Sequence, residues 1–326
     1  MKILIIGGGS IGKRHIANLQ ALGYHDIVLL KREYDAIIEN ELGVKVIGSF
    51  VEASKLRITH IIVCTPTALH NESLAFAIAN SCAVFMEKPL VGNKEELNEA
   101  LGLLSNYSKP FFIGFMLRYH PLVNKLKNLI DDKSLGEVFS ARFSFGSYLP
   151  HWHPWENYKQ GYAARKELGG GVINTISHEL DLIQHFFGNP KSVLCNKRNL
   201  NKLDIEVEEI ADAIFGYEDK VVTLHLDYLQ KDYQRQVEVL CDKGRIFWDW
   251  HANEICVKKH NEAEYQITLE REFDANKLYL DEMDAFLELV GNKVTNHPLD
   301  QNHAIANMNL ILSMHESAEL GKKVKC

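Results

Sequence analysis

Two segments of the chain place a side chain that can bind or exchange a proton in a setting that favours a ligand. Lys88 lies in Glu87-Lys88-Pro89, directly after the apolar run Ala83–Met86, and His178 follows the glycines Gly169–Gly171. A lysine can hydrogen-bond a reacting oxygen and stabilise charge that develops on it. A histidine can exchange a proton near neutral pH. This pair of side chains would suit the interconversion of an alcohol and a ketone.

The segment around His178 predicts a helix that begins after the glycines. One helical face would be apolar, with residues at the spacing of helix turns: Val172, Ile176, Leu180 and Ile183. Asn174 lies four residues before His178, so the two would share the other face. The glycines would let a ligand approach the backbone, and a satisfied core histidine is the alternative for His178. Leu182 excludes the zinc motif H-E-x-x-H, and no metal site is predicted.

The N-terminus predicts an element that would hold a dinucleotide cofactor. A short apolar strand, Ile3–Ile6, runs into the glycine-rich sequence Gly7-Gly8-Gly9-Ser10-Ile11-Gly12, and a helix-compatible segment follows. This is G-x-G-x-x-G between a strand and a helix. Gly7 would allow the tight turn, Gly9 would let a pyrophosphate approach, and Gly12 would let the helix pack closely. Ser10 and Ile11 open that helix, whose N-terminus attracts phosphate.

The second strand carries information on the choice of cofactor. An acidic residue at its end would bind the ribose of NAD, whereas an arginine nearby would suit the 2′-phosphate of NADP. The chain has Lys31-Arg32 at this place, and the acidic residues Glu33 and Asp35 follow slightly beyond the position expected for the contact with the ribose. The sequence therefore predicts NADP or NAD as the cofactor and favours NADP. An exposed pair of cations at a strand end is the alternative.

The other predicted cofactor contacts come from the ends of the next strands. The apolar strand His60–Cys64 runs into Thr65-Pro66, which we expect to flank the nicotinamide ribose, and His70 follows. Glu87 and Lys88 complete the predicted cofactor site. The alternative for the first of these segments is an ordinary helix cap at Thr67.

The pattern of strands and helices predicts an α/β fold with two domains. Up to residue 118, unbroken apolar runs alternate with helix-like stretches such as Ala68–Ala79 and Lys94–Leu104, as in a doubly wound parallel Rossmann sheet. Six strands are expected there: Ile3–Ile6, Asp26–Leu30, Val44–Ile47, His60–Cys64, Ala83–Met86 and Phe111–Phe115. Period-two alternation after residue 119 predicts a large, mostly antiparallel open sheet with strands near 137–147, 191–199, 209–216, 220–229, 234–241 and 244–250.

Two helices are expected to close the chain, at about Asn276–Val290 and Gln301–Leu320. The predicted domains are 1–118 for the dinucleotide and 119–326 for substrate binding and oligomerisation, with the C-terminal helix packing back on the first domain.

Composition narrows the class of protein. A chain of 326 residues with a net charge of −7 disfavours nucleic acid as a partner. No apolar run approaches the roughly 20 residues that span a bilayer, so no membrane partner is expected. We expect no signal peptide at the N-terminus. The six cysteines form no C-x-x-C pair, which favours reduced thiols in a cytoplasmic protein.

These segments together resemble the Gfo/Idh/MocA family of nicotinamide-dependent oxidoreductases. The resemblance covers nearly the whole chain and rests on Gly7–Gly12, Thr65-Pro66-Thr67 and, most specifically, Glu87-Lys88-Pro89. It implies hydride transfer between a nicotinamide and a hydroxyl-bearing carbon of a sugar, inositol or nucleotide-sugar. It also implies that Lys88 lies near the reacting oxygen. The stretch Tyr162–Gly171 is similar to members that we associate with bacterial surface-sugar biosynthesis.

The chain departs from the family at Asn174. The family usually has an aspartate four residues before the histidine, where this sequence has Asn174, and Ser177 directly precedes His178. We still predict Lys88, His178 and Asn174 as catalytic residues. Because an amide cannot accept a proton, however, the aspartate's role would be lost or would pass to His178. A dinucleotide-binding sensor or scaffold without efficient turnover is therefore the rival function.

Aromatic and cationic residues predict the wall of a substrate pocket. Arg118 and Tyr119 follow the last strand of the first domain, Trp152 lies in a run rich in histidine and aromatic residues, and Arg165 precedes the glycines. With Asn174 and His178 they form the predicted substrate site. The alternatives are a hinge for the first pair and a packing corner or subunit interface for the others. We expect a homodimer or homotetramer through the C-terminal sheet.

Overall fold

A computed structural model describes residues 1–32, 36–269, 273–291, 294 and 296–326, without the side chains of 36–38. Glu33 and Asp35 lie outside the described residues. The chain divides into two compact units. The first, unit 1, contains Met1–Met116 and Asp274–Ile305, and the second, unit 2, contains Leu117–Phe273 and Ala306–Cys326. The predicted division at 118/119 remains a prediction.

Unit 1 contains a parallel sheet with six strands: β1 (Ile3–Ile6), β2 (Ile27–Leu30), β3 (Lys45–Ile47), β4 (His60–Val63), β5 (Ala83–Glu87) and β6 (Phe111–Gly114). Their order across the sheet is β3-β2-β1-β4-β5-β6. Every neighbouring pair is parallel, and the central strands are buried along their length. Continuous apolar runs are therefore required, because both faces of such a strand are covered.

Five helices connect these strands: α1 (Ser10–Ala21), α2 (Ala36–Leu42), α3 (Phe50–Ser54), α4 (His70–Ala79) and α5 (Lys94–Leu104). The start of α5 shows why a local sequence forms a helix at a given residue. The side chain of Asn93 accepts a hydrogen bond from the backbone N–H of Glu96, and the Glu96 carboxylate accepts from Gly92 N–H. Both bonds satisfy donors at the start of the helix.

A later part of the chain completes unit 1. Helix α9 (Asn276–Val290) packs on α1, where Asn276 donates to Asn18 at 2.9 Å and the Arg14 guanidinium lies 4.4 Å from the Tyr279 ring centre. Phe286 packs edge-on against the core ring of Phe85. Unit 1 thus buries side chains from two separate stretches of sequence in one core.

Unit 2 contains a sheet of nine strands: β7 (Val138–Gly146), β8 (Ser192–Arg198), β9 (Ile210–Gly216), β10 (Val221–Asp227), β11 (Gln234–Cys241), β12 (Gly244–Asp249), β13 (Glu254–Lys259), β14 (Tyr265–Thr268) and β15 (Val324–Lys325). Their order is β14-β13-β12-β11-β7-β10-β9-β8-β15. All pairs are antiparallel except β7 with β10.

Helices cover one face of this sheet: α6 (Pro121–Asp131), α7 (Val172–Thr175) and α8 (His178–Phe187). Contacts join α6 to β12 and β13, and α7 to β9 and β10. The last helix, α10 (Gln301–Leu320), runs through the residue at which the two units divide. Large apolar side chains remain exposed on the other face of the sheet: Phe139, Leu194, Ile214, Val221 and Leu240.

The predicted fold class is confirmed: a doubly wound parallel sheet plus a mostly antiparallel open sheet. The continuous helix predicted through Asn174 and His178 is wrong. Ile176 leaves helical geometry at φ −102° and ψ 41°, so the segment forms α7, a break, and then α8. The two side chains therefore do not share one helix face. No helix among the described residues has the length and apolarity to cross a membrane.

Candidate functional site

The glycine-rich turn after β1 has the shape that a dinucleotide requires. Gly7 has a φ of +105°, and a Cβ there would lie 2.6 Å from the carbonyl oxygen of Cys64. A Cβ on Gly12, in the first turn of α1, would lie 2.0 Å from the backbone carbonyl oxygen of Gly7, so only glycine fits at this position. Over Gly9, in contrast, the described residues leave open space. These features fit a pyrophosphate over Gly9, facing the N–H groups of Ser10 and Ile11 at the start of α1.

The residues after β2 lie at the edge where the adenosine ribose would bind. Lys31 packs its aliphatic chain over Gly8, and Arg32 is exposed. The Arg32 guanidinium forms an ion pair with Glu72 on α4 at 2.6 Å. Both side chains are at least half exposed, so the pair is held only weakly and can be displaced.

His70 joins the loops that follow β4 and β5. It is buried, and its ring nitrogens lie 3.1 Å from the carbonyl oxygens of Thr65 and Leu90. Burial lowers the pKa of His70, so the charged form is disfavoured. These contacts make His70 a brace for Thr65-Pro66 and for the segment after Lys88, and its predicted contact with the cofactor remains a prediction.

Glu87, the last residue of β5, is anchored from α1. Its carboxylate lies 2.7 Å from Nε2 of His15, whose side chain is fully buried. The charge of Glu87 also raises the pKa of the neighbouring Cys64 thiol, after the larger effect of burial. Lys88 follows with a cis peptide bond to Pro89, and the buried Leu90 comes next. The contact of Glu87 with His15 therefore anchors the residue that precedes Lys88.

The helix that begins at His178 is anchored by two buried ion pairs within unit 2. Glu179, 2% exposed, binds Arg235 of β11 at 2.7 Å. Asp181, fully buried, binds Arg118 through two bonds of 2.8 Å each. Such paired, bidentate contacts between arginine and carboxylate fix geometry strongly. The arrangement holds α8, and thus the backbone of His178, from two sides.

Arg118 also contacts the far end of this helix. Its Nη1 donates to Nδ1 of His185 at 2.6 Å. Burial and the Arg118 charge lower the pKa of His185 to about 4, which keeps that ring neutral and able to accept. The described contacts of Arg118 are those of a brace for α8. Its predicted contact with substrate remains a prediction.

The glycines before His178 allow close packing within the chain, and the predicted approach of a ligand to this turn remains a prediction. A Cβ on Gly170 would lie 2.3 Å from the backbone carbonyl oxygen of Tyr162, and a Cβ on Gly171 would lie 2.4 Å from a carboxylate oxygen of Glu208. Gly169 and Gly171 have positive φ, which suits glycine. Burial raises the pKa of Glu208 beside this turn.

The remaining predicted substrate residues lie elsewhere in unit 2. The indole N–H of Trp152 donates to Ser147 at 2.8 Å, and its ring packs edge-on against Tyr228. Arg165 is partly exposed and pairs with Glu167. Tyr119 lies in the short helical turn Met116–Tyr119.

The structure groups the predicted residues by unit. In unit 1, the residues at one end of the strands share a network of contacts: Gly7, Gly12, Thr65, His70 and Glu87. In unit 2, Asn174 and His178 lie on consecutive helices. Sequence reasoning missed the anchors His15, Glu179, Asp181 and Arg235. A histidine or charged side chain at a core-facing position of a helix or, for Arg235, of a strand would have been the signal, since such groups need buried partners.

Among the described residues there is no group of three or more histidine, cysteine, aspartate or glutamate side chains that could hold a metal ion. Unit 1 combines a glycine turn after β1 with a lysine directly after β5 in one parallel sheet. These features define an NAD-binding oxidoreductase domain.

Comparison with known families agrees with this class. Residues 1–115 match the model described as "Oxidoreductase family, NAD-binding Rossmann fold", and residues 123–247 match the GFO/IDH/MocA C-terminal domain. The chain belongs to the Gfo/Idh/MocA family of oxidoreductases.

Curated relatives are more distant. An uncharacterized oxidoreductase of Streptococcus pneumoniae is 26% identical over 72% of this chain and 61% of its own length. A 2,7-anhydro-N-acetylneuraminate hydratase of Escherichia coli is 27% identical over 52% of this chain and 42% of its own length. The chain thus spans about two fifths to three fifths of these two relatives. An inositol 2-dehydrogenase of Corynebacterium glutamicum is 22% identical over 80% of both chains.

Solved structures extend the similarity of fold to the whole chain. A levoglucosan dehydrogenase in complex with NADH has a TM-score of 0.89 at 15% identity and covers 100% of this chain and 98% of its own. A myo-inositol 2-dehydrogenase from Lactobacillus plantarum has a TM-score of 0.83 at 22% identity, with 100% and 99% covered. At these identities the likeness shows the shared fold alone.

Proposed function

We propose that this protein is an NAD(P)-dependent dehydrogenase or reductase that acts on a hydroxyl-bearing carbon of a sugar, inositol or nucleotide-sugar. The observation that carries the proposal is the anchored Glu87-Lys88-Pro89 segment at the end of β5, beside a turn that fits a pyrophosphate. The names of two similar proteins, an inositol 2-dehydrogenase and a levoglucosan dehydrogenase, support a polyhydroxylated substrate. A role in surface-sugar biosynthesis is part of the proposal.

The chemistry assigns different tasks to Lys88 and His178. A nicotinamide, when bound, supplies or accepts the hydride at its C4 position. In the oxidation direction the substrate carbon loses a hydride and its hydroxyl loses a proton. His178 accepts that proton, and Lys88 hydrogen-bonds the oxygen and stabilises the negative charge that develops on it. In the reduction direction His178 returns the proton to the oxygen.

The contacts with substrate remain proposals. Tyr119, Trp152 and Arg165 offer aromatic faces and a cation for a sugar and its charged substituents. The hydrogen bond from the Trp152 N–H to Ser147 fixes the orientation of that ring.

The test is a substrate panel of inositols, hexoses, anhydrosugars and nucleotide-sugars, each with NAD and with NADP. Absorbance of the reduced cofactor reports net oxidation. Because one relative is named a hydratase, mass spectrometry of the products should run in parallel to detect a reaction without net oxidation or reduction. Cofactor-dependent conversion of a panel member supports the proposal. Tight cofactor binding with no conversion contradicts it.

A dinucleotide-binding sensor or scaffold is the second candidate. The observation that favours it is Asn174, which stands where the family usually carries an aspartate and is bound within the chain. Retained cofactor binding without conversion across the panel would support this function.

We also propose that the protein prefers NADP, with Arg32 as the residue that binds the 2′-phosphate. Replacing Arg32 with alanine should weaken NADP binding about tenfold or more, because a charge-assisted hydrogen bond is lost, and should leave NAD binding nearly unchanged. Replacing Glu72 with glutamine frees Arg32 from its ion pair and serves as the matched control, with tighter NADP binding expected. Calorimetric titration of both nucleotides measures the effect, and an equal loss for both would contradict the assignment.

We further propose that a second copy of the chain covers the open face of the unit 2 sheet, giving a homodimer or homotetramer in the cytoplasm. The exposed apolar stripe of Phe139, Leu194, Ile214, Val221 and Leu240 supports association, and the six free cysteines support a reducing compartment. Sedimentation of the wild type and of Ile214→Lys checks the interface: an unchanged assembly in the variant would contradict it.

A further inference from the structure

Asn174 lies between two partners from distant parts of unit 2. Its side chain is almost fully buried. The amide nitrogen donates to the carbonyl oxygen of Gly169 at 3.1 Å, with Gly170 at 3.5 Å. The amide oxygen lies 3.0 Å from Nε2 of His315, on α10. Asn174 thus ties the glycine turn to another helix.

Lys197 sets the direction of the hydrogen bonds in this chain of groups. Its ammonium lies 2.7 Å from Nδ1 of His315. An ammonium group has donors and no acceptor, so Nδ1 must accept. A neutral imidazole then carries its proton on Nε2 and donates it to the Asn174 oxygen. That leaves the amide N–H groups of Asn174 directed at the Gly169 carbonyl. Each bond in the series therefore has only one possible direction.

The charges and the burial around His315 favour a neutral imidazole ring. Burial and the Lys197 charge lower the pKa of His315 to about 3. Glu319 lies 3.7 Å from the Lys197 ammonium and is largely exposed. The Glu208 carboxyl interacts with Lys197 as well, and burial raises its pKa. The groups around His315 leave it uncharged at neutral pH.

A carboxylate at position 174 would not fit this arrangement. It could not donate to Gly169, so two carbonyl oxygens of the turn would face a negative charge. It would also attract a proton onto His315, and the second ring N–H would then point at the Lys197 ammonium. The surroundings are thus complementary to an amide.

We propose that Asn174 is a positioning residue: the series Lys197, His315 and Asn174 fixes the Gly169–Gly171 turn, which leads through α7 to His178, and residue 174 takes no part in proton transfer. This inference rests on the proposed role of His178 in one respect, because the benefit of the fixed turn is the placement of that ring. The network therefore explains why an asparagine, and not an aspartate, stands at position 174.

The first experiment does not depend on turnover. Nuclear magnetic resonance of protein labelled with ¹⁵N-histidine reports the proton on each ring nitrogen. In the wild type at pH 7, His315 should be neutral with its proton on Nε2. In Asn174→Asp its pKa should rise by about two units or more, since an opposite charge then lies beside it. A wild-type ring that is charged, or that carries its proton on Nδ1, would overturn the proposal.

The second experiment uses a matched pair of variants on a substrate found in the panel. Glutamine can accept from Lys197 and donate to Asn174, whereas leucine can do neither. We expect His315→Leu and Asn174→Asp to lower kcat by up to about a hundredfold, the effect of a misplaced catalytic group, with a smaller effect on KM. His315→Gln should recover most of the loss.

The positioning role and the proposed function can fail independently in these experiments. A kcat for Asn174→Asp equal to or above the wild type, or His315→Gln as impaired as His315→Leu, would overturn the positioning role. If the panel yields no substrate, the proposed function fails and the histidine spectra still decide whether the hydrogen-bond series exists.

Discussion

Replacing Lys88 with alanine is expected to lower kcat by a factor of about 10²–10⁴ and to leave the dissociation constant of NAD(P) within a few-fold of the wild type. The physical reason is that the ammonium stabilises an oxygen whose charge grows only in the transition state. The glycine turn and the N-terminus of α1, which form the proposed phosphate site, remain intact. Steady-state rates on a panel substrate, together with cofactor titration, measure both quantities.

Lys94 provides the matched control for this experiment. It is an exposed lysine at the start of α5 in the same unit, so Lys94→Ala removes the same charge from unit 1 without touching the end of β5. Its kcat should stay close to that of the wild type. A Lys88→Ala protein that turns over at a near-normal rate would remove Lys88 from the chemistry.

Replacing Arg118 with alanine is expected to lower the free energy of unfolding of unit 2 by about 3–5 kcal/mol. The fully buried carboxylate of Asp181 would lose its bidentate partner, and a buried charge that loses its partner is costly. All four tryptophans, residues 152, 155, 248 and 250, lie in unit 2. Tryptophan fluorescence during urea unfolding therefore reports this unit alone.

Two further variants test whether burial of the ion pair causes the expected loss of stability. Lys159 forms an ion pair with Asp204 at 2.6 Å, and both side chains are substantially exposed (41% and 91%), so Lys159→Ala should leave the free energy of unfolding nearly unchanged. The double variant Arg118→Met with Asp181→Leu removes both charges and should recover part of the stability. Equal losses for Arg118→Ala and Lys159→Ala would show that the Arg118 pair does not anchor α8.

The sequence predicted the elements whose signals are local. The segments Lys94–Leu104, Asn276–Val290 and Gln301–Leu320 form helices with those bounds, and the six parallel strands lie within a residue or so of their predicted positions. For α5 the reason is visible in the caps, since Asn93 and Glu96 satisfy the first N–H groups within four residues of chain. The predicted family is also confirmed.

What the sequence could not predict depends on partners far along the chain. His15 binds a carboxylate 72 residues away, and His315 binds Asn174 across 141 residues. The break at Ile176 was missed because apolar spacing alone continues smoothly through it. Strands β13, β14 and β15 were missed as well. Strands β14 and β15 are short and mostly exposed, whereas β13 does alternate, with Ile255 and Val257 buried, and was overlooked.

The return of residues 274–305 to unit 1 has a consequence for synthesis of the protein. A ribosome releases the chain from the N-terminus, so the Rossmann sheet emerges long before α9, which covers Phe85 and packs on α1. Until then the nascent dinucleotide unit exposes an apolar side, a surface that chaperones bind. An expression fragment that stops near residue 118 would retain this exposed side permanently. A shortened version of the cofactor unit should therefore join 1–116 to 274–305 through a linker.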